Sequence, residues 1–304
     1  MTGRASTSLL AAALACAMPA SPASPATPAS PTEPRRWTPE AISSADYESS
    51  PAFSPDGREL YFMRSDKSFS RYQVLVSRCE AGRWTAPVPP SFTLPPPVND
   101  ADPFITPDGR RLYFVSSRPA QQRGAAADDL DIWRSERSAD GRWGPPQRLP
   151  EPVNSSASEL LPREDAQGRL LFGSSRPGGH GQGDIWRATP LPGGAWRVEN
   201  LGPPVSSAAN EYEAELSRDG RSLVLVVDRG RRSHLERFTL GSDGRWTAAG
   251  RLPGRNEVFQ VGPLLSPRGE RLLFAQADGE RSGELFLVDL VPNATEDWPP
   301  RCER

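Results

Sequence analysis

A four-residue turn recurs along this 304-residue chain at a spacing that a single irregular domain has no reason to keep. Ser54-Pro55-Asp56-Gly57, Thr106-Pro107-Asp108-Gly109, Ser217-Arg218-Asp219-Gly220 and Ser266-Pro267-Arg268-Gly269 share one form, and a loosened copy with two extra residues is read between Arg163 and Gly168. The turn glycines stand 52, 59, 52 and 49 residues apart. Proline presets φ at the first corner of a type I turn, Asp suits the second, and Gly takes the left-handed position that comes next in a hairpin. A period near fifty residues signals an array of supersecondary units, each unable to bury its apolar face alone.

The segment after each turn defines the unit. Leu60-Tyr61-Phe62-Met63, Leu112-Tyr113-Phe114-Val115, Leu170-Leu171-Phe172-Gly173, Leu223-Val224-Leu225-Val226 and Leu272-Leu273-Phe274-Ala275 are apolar runs bounded by turns, the pattern of strands covered on both faces. A third strand is clearest at Asp131-Ile132-Trp133-Arg134 and Asp184-Ile185-Trp186-Arg187. A fourth opens on Trp84, Trp143, Trp196 or Trp246 and often carries proline, which belongs on an edge where a missing N–H is harmless. Glycine and proline together make 60 residues, which suits short strands and turns better than helices.

There are five turns but only four tryptophan strands after them, and the missing copy stands before the first turn, at Trp37-Thr38-Pro39-Glu40-Ala41-Ile42. A ring closed by the chain's start explains this split repeat, whereas an open solenoid does not. The expectation is an all-β fold: a five-bladed β-propeller of four-stranded antiparallel blades over residues 37–290, with six blades as the alternative. Residues 291–304 form a C-terminal tail.

The turn with its Leu-Tyr-Phe strand, and Ser174-Ser175-Arg176-Pro177-Gly178-Gly179 leading into Asp184-Ile185-Trp186, resemble the TolB-type propeller repeat, also called the WD40-like or PD40 repeat. The resemblance covers about residues 37–290 and is specific for fold. It implies an extracytoplasmic bacterial protein that acts as an interaction platform, with enzymes a minority among related propellers. Departures from TolB are the lack of a separate N-terminal α/β domain and the blade number, so the partners of TolB do not transfer.

Arg4, the apolar stretch Leu9–Ala17 and the small residues after it read as an export signal over residues 1–20, too short to span a bilayer, which needs about twenty apolar residues. Residues 21–36 are rich in Pro, Ala and Ser and read as an extended linker. Localisation is therefore expected to be periplasmic or secreted, with lipid anchoring at Cys16 as a weaker alternative. Once that segment is removed, Cys79 and Cys302 remain, and an oxidising compartment allows them to pair. The split closure carries the C-terminal tail towards the first blade, so their approach is geometrically reasonable.

Net charge is −2 and no basic stripe accompanies the aromatic residues, which argues against nucleic acid. His180 and His234 are the only histidines, and neither lies in a nucleophile or zinc context. The loop Gly178–Gly183 does not open a helix, so it is read as a flexible hairpin loop rather than a phosphate cradle. Arg118 with Asp131, and Arg176 with Asp184, are read as ion pairs within blades.

Acidic residues recur just before each innermost strand. Aligned on the turns, Asp102, Glu159 and Glu213 take one position and Glu48, Asp100 and Glu211 the position two earlier; the fifth copy offers Gln260 and Gly262 instead. Lining a channel, these carboxylates would form a cation site, with calcium as the candidate, or a receptor for a basic peptide. Because the positions repeat around the ring, the favoured reading is that each bonds to backbone N–H groups or to an Arg of its neighbour and locks the blades together. The sequence thus points to a monomeric, non-catalytic scaffold that binds an unidentified protein or peptide of the cell envelope and needs no cofactor. The alternative is a carbohydrate-binding or carbohydrate-active propeller using paired carboxylates such as Asp102 with Glu213.

Overall fold

The computed structural model describes Met1 and residues 32–119, 129–230, 232–279 and 281–303. The signal segment, Cys16 and most of the expected linker lie outside them. The described residues are almost wholly β-structure, with one 3₁₀ turn at Pro192–Gly194 and no helix long and apolar enough to cross a membrane.

After a short strand β1 (Arg35–Arg36), the chain lays down four-stranded antiparallel sheets in sequence. The first holds β2 (Tyr47–Phe53), β3 (Glu59–Ser65), β4 (Tyr72–Glu80) and β5 (Arg83–Trp84). The second holds β6 (Asp100–Ile105), β7 (Arg111–Ser116), β8 (Asp131–Glu136) and β9 (Gln147–Arg148). The third holds β10 (Glu159–Glu164), β11 (Leu170–Ser174), β12 (Asp184–Pro190) and β13 (Trp196–Asn200). The fourth holds β14 (Asn210–Leu216), β15 (Ser222–Asp228), β16 (His234–Leu240) and β17 (Trp246–Arg251). The last holds β18 (Gln260–Leu265), β19 (Arg271–Asp278) and β20 (Arg281–Asp289), and its fourth strand is β1. First strands touch in a closed cycle, β2 to β6, β10, β14, β18 and back to β2, so the sheets surround an axis as propeller blades do.

The core lies between blades rather than inside one. Tyr61, Phe62, Phe114, Phe172 and Phe274, all from second strands, are completely buried. One apolar cluster joins Tyr61, Val74 and Val76 of the first sheet to Leu112, Phe114 and Trp133 of the second; another joins Tyr113 and Val115 to Phe172 and Trp186 of the third. A strand covered on both faces needs no polar alternation, which is why these runs are uninterrupted. Fourth strands are peripheral: most of β17 is exposed. Tryptophans serve the seams, as where Trp143 Nε1 donates to Tyr61 Oη of the preceding blade at 2.9 Å.

The ring is closed at two places. Strand β1 pairs antiparallel with β20, Arg35 facing Leu287 and Arg36 facing Phe286, and Trp37 N donates to Leu285 O at 2.8 Å. This edge begins inside the segment expected to be linker: Thr32 N already donates to Asp289 O. Two arginines escape an apolar search for strands, yet suit an outer edge where Arg35 reaches Asp289 at 3.2 Å. The second closure is the C-terminal tail, whose Trp298 is buried near Phe53 and whose Cys302 forms a disulfide with Cys79, Cα atoms 5.3 Å apart. The closing seam also contains a parallel bridge between Tyr47 and Gly283.

Two readings of the repeat need correction. The third turn is Asp165-Ala166-Gln167-Gly168, with no insertion: Gly168 N donates to Asp165 O at 3.0 Å as Gly57 N does to Ser54 O at 2.8 Å. The glycine-rich loop is docked rather than loose. Gln182 N donates to Ala209 O, Glu211 N donates to Gly183 O, and a Cβ at Gly181 would stand 2.0 Å from Ala209 O, so glycine is needed for the approach to the next blade.

Candidate functional site

Each first strand carries an irregularity at the same place. Register breaks between Ser49 and Ala52, Ala101 and Phe104, Leu160 and Arg163, Glu211 and Glu213, and Val261 and Leu264. At four of these bulges one residue has positive φ: Ser50, Asp102, Leu161 and Gly262. A bulge re-aims side chains, and here it separates two classes of carboxylate that simple alternation would place on one face.

The first class is Glu48, Asp100, Glu159 and Glu211, with Gln260 in the fifth sheet. Glu159 belongs here and not with Asp102, because the third turn carries no insertion. Each is held by its own blade. Glu48 accepts from Ser44 Oγ at 2.5 Å and Arg64 Nε at 2.7 Å. Asp100 accepts from Arg118 at 2.9 Å and Leu94 N at 3.1 Å. Glu159 accepts from Ser155 Oγ at 2.6 Å and Arg176 at 2.7 Å, and Glu211 from Ser207 Oγ at 2.5 Å. Burial raises Glu48 and Glu159 above the usual carboxylate range, opposed by the serine and the arginine. Arg118 and Arg176 are therefore the partners of Asp100 and Glu159. The expected partner Asp131 instead pairs with Arg148 at 2.6 Å, and Asp184 accepts from His180 N at 2.9 Å. A serine four residues before the glutamate, at Ser44, Ser155 and Ser207, is the sequence signal for this arrangement.

The second class meets on the axis. Asp102, 4% exposed, accepts from Ser50 Oγ at 2.7 Å and from Leu161 N at 3.0 Å, reaching both neighbouring blades. Glu213, 8% exposed, accepts from Gly262 N at 2.6 Å. Burial raises both carboxyls, and the charge of Asp102 raises Glu213 further, to about 8. Deeper along the strands, Arg163 forms a buried ion pair with Glu215, which also accepts from Leu265 N at 3.1 Å, while Arg163 lies over the Phe104 ring. The repeat pattern does not single out Arg163 or Glu215 as functional; their one signal is that they stand where the other first strands carry Ala52, Phe104 and Leu264.

These layers divide the axis. On the side of the hairpin turns is a cavity of about 570 Å³, reached by Arg163, Glu164, Glu215, Arg218 and Pro300. On the opposite side, where second strands connect to third and blades to blades, lies a cavity of about 270 Å³. Asp102 and Glu213 meet it, and Phe69, Tyr72, Tyr212 and Phe259 supply aromatic walls. Of the six carboxylates expected at a mouth, the structure brings only Asp102 and Glu213 to this cavity. Among the described residues no group of three or more His, Cys, Asp or Glu gathers as metal ligands. His234 pairs with Glu236 at 2.8 Å, away from both cavities.

The closed cycle of four-stranded sheets defines a β-propeller. No family model matches the sequence, and no curated protein matches it. Solved structures do. TolB from Acinetobacter baumannii aligns with TM-score 0.52 and 19% identity over 83% of this chain, which spans about half, 56%, of that protein. TolB from Agrobacterium tumefaciens aligns with TM-score 0.51 and 17% identity, over 78% of this chain and 73% of that one. An α-L-arabinofuranosidase from Lactobacillus brevis aligns with TM-score 0.53 and 14% identity, over 82% and 92%. At these identities the likeness is one of fold alone, and a fold does not fix a function.

Proposed function

We propose that this chain is a non-catalytic, extracytoplasmic binding scaffold that receives a protein or peptide segment of the cell envelope at the aromatic mouth of its axis. The observation that carries the reading is how the axial carboxyls are used. Both oxygens of Asp102 accept from donors of other blades, and Glu213 accepts from the backbone of the last blade. They hold the ring. The cavity above them is walled by Met63, Ala101, Leu130, Leu160 and Val261 besides the aromatic rings. Sugar recognition needs many directed hydrogen bonds, because each unpaired hydroxyl costs affinity; an apolar wall with few polar groups suits a peptide side chain better. The disulfide between Cys79 and Cys302 supports an oxidising compartment.

The test is capture from an envelope extract by wild type and by two variants: Phe69→Asp with Phe259→Asp at the mouth, and Pro107→Asp at the turn face. A saturable partner lost only with the mouth variant is the expected result. The absence of any saturable partner, or one indifferent to the mouth, refutes the reading.

One observation favours a second reading: Glu213 and Asp102 are two neighbouring buried carboxyls, both raised by burial, at the floor of one cavity, and a glycosidase works with such a pair. Turnover in an oligosaccharide screen that disappears in both Asp102→Asn and Glu213→Gln would replace the scaffold with a hydrolase.

A further inference from the structure

The axial cavity has a ligand chemistry of its own. Glu213 is more than nine-tenths buried, yet only one of its carboxyl oxygens has a donor among the described residues: Gly262 N bonds Oε2, and nothing donates to Oε1. The residue lines the cavity, so that oxygen meets open space there. Around it stand Tyr72, Tyr212 and Phe69, with Phe259 at the rim, 38% exposed and already carrying Arg232 at 4.8 Å over its ring. A carboxyl oxygen lacking a donor, beneath aromatic faces, is the environment in which a positive nitrogen is held by a hydrogen bond and by the ring quadrupoles together.

We propose that this cavity binds a primary ammonium group on an apolar stem, the nitrogen donating to Glu213 Oε1 and the stem lying against Leu160, Val261, Ala101 and Met63. A quaternary ammonium has no N–H to give that oxygen, and a guanidinium is broad for the space. At about 30 Å³ per water-sized unit the cavity holds roughly nine heavy atoms. The inference deepens the reading of the mouth as a peptide receptor and rests on it, since a peptide presents such a group at its N-terminus or on lysine.

Binding is linked to a proton. Burial and the neighbouring Asp102 raise the Glu213 carboxyl, to about 8, so an ammonium that pairs with the ionised form competes with a proton and its affinity rises with pH through that value. The charged and titratable groups facing Glu213 are Asp102 across the axis, Arg163, and the phenols of Tyr47 and Tyr212; both phenols are raised by burial and stay neutral in this range. Tyr72 is raised as well, by burial first and by Asp102 second.

The probe is 2-phenylethylamine titrated calorimetrically into the full chain, with 2-phenylethanol as the neutral counterpart. The amine is expected to bind saturably, at least tenfold tighter than the alcohol at pH 8, and several-fold weaker at pH 6. Glu213→Gln should erase the preference for amine over alcohol, and Leu160→Trp, which fills the cavity, should abolish binding of both. Thermal unfolding of each variant confirms folding. A Lys-containing, N-acetylated peptide compared with a Lys-free peptide with a free N-terminus then separates the two natural sources. Equal binding of amine and alcohol, or an amine preference that survives Glu213→Gln, overturns the inference. Partner capture at the mouth can succeed while the amine fails, so failure here is distinguishable from failure of the scaffold reading.

Discussion

Replacing Cys79 and Cys302 by serine measures how much the ring depends on its covalent clasp. The disulfide closes a loop with a sequence separation of 223 residues, nearly the whole propeller. Loop-closure entropy removed from the unfolded chain grows with the logarithm of that length and comes to about 5 kcal/mol at 25 °C. With an unfolding entropy of about 2.1 cal/mol/K per residue over roughly 260 residues, the loss corresponds to a midpoint about 10 °C lower. The assay is thermal unfolding followed by circular dichroism at pH 7, on wild type, Cys79→Ser, Cys302→Ser and the double variant. Because all three variants open the same loop, their shifts should be nearly equal and not additive. Reduction of the wild type should reproduce them. A shift below about 2 °C refutes the loop-entropy reasoning. A shift confined to Cys79→Ser would trace the effect to packing around that buried residue.

Other perturbations probe the axis. A carboxyl whose folded pKa is raised takes up protons on folding, so its contribution is fully present below the unfolded value and is lost as pH climbs through about 8. Glu213→Gln should therefore gain stability over wild type as pH rises from about 4.5 to 8, on the order of 4 kcal/mol by pH 8; parallel stability curves would refute this. Arg163→Met leaves Glu215 buried without its cation and should cost about 3–5 kcal/mol in denaturant unfolding, much of it restored by adding Glu215→Leu; a single variant as stable as wild type would refute the assignment. Gly262→Ala should cost at least about 2 kcal/mol, because φ is +63° and the added Cβ would lie 2.3 Å from Ser50 N across the closing seam. An unchanged unfolding midpoint would show that the seam relaxes freely.

The repeat is legible in the sequence because its signals are local. Pro-Asp-Gly turns and uninterrupted apolar second strands arise from backbone conformation and two-faced burial. Trp37, displaced to the front of the chain, announces the closure. The functional residues are less legible, for reasons particular to each. Sequence alignment puts Glu159 in the wrong register because the third turn, Asp165–Gly168, hides its likeness behind Asp in place of Ser or Thr. Proximity along the chain matches Arg118 and Arg176 to Asp131 and Asp184, whereas each reaches back to the first strand of its own blade, at Asp100 and Glu159.

By itself the sequence determined the repeating unit, the order of strands within it and the segment that completes the last sheet, because each depends on interactions between residues close in the chain or on a pattern repeated along it. Repeat alignment already paired Asp102 with Glu213; tertiary structure alone decided that these two part from Glu48, Asp100, Glu159 and Glu211, and that Phe69, Tyr72 and Phe259 wall their site. Ring closure brings those positions together, and the bulge that turns a side chain from its own blade to the axis depends on the blade packed beside it.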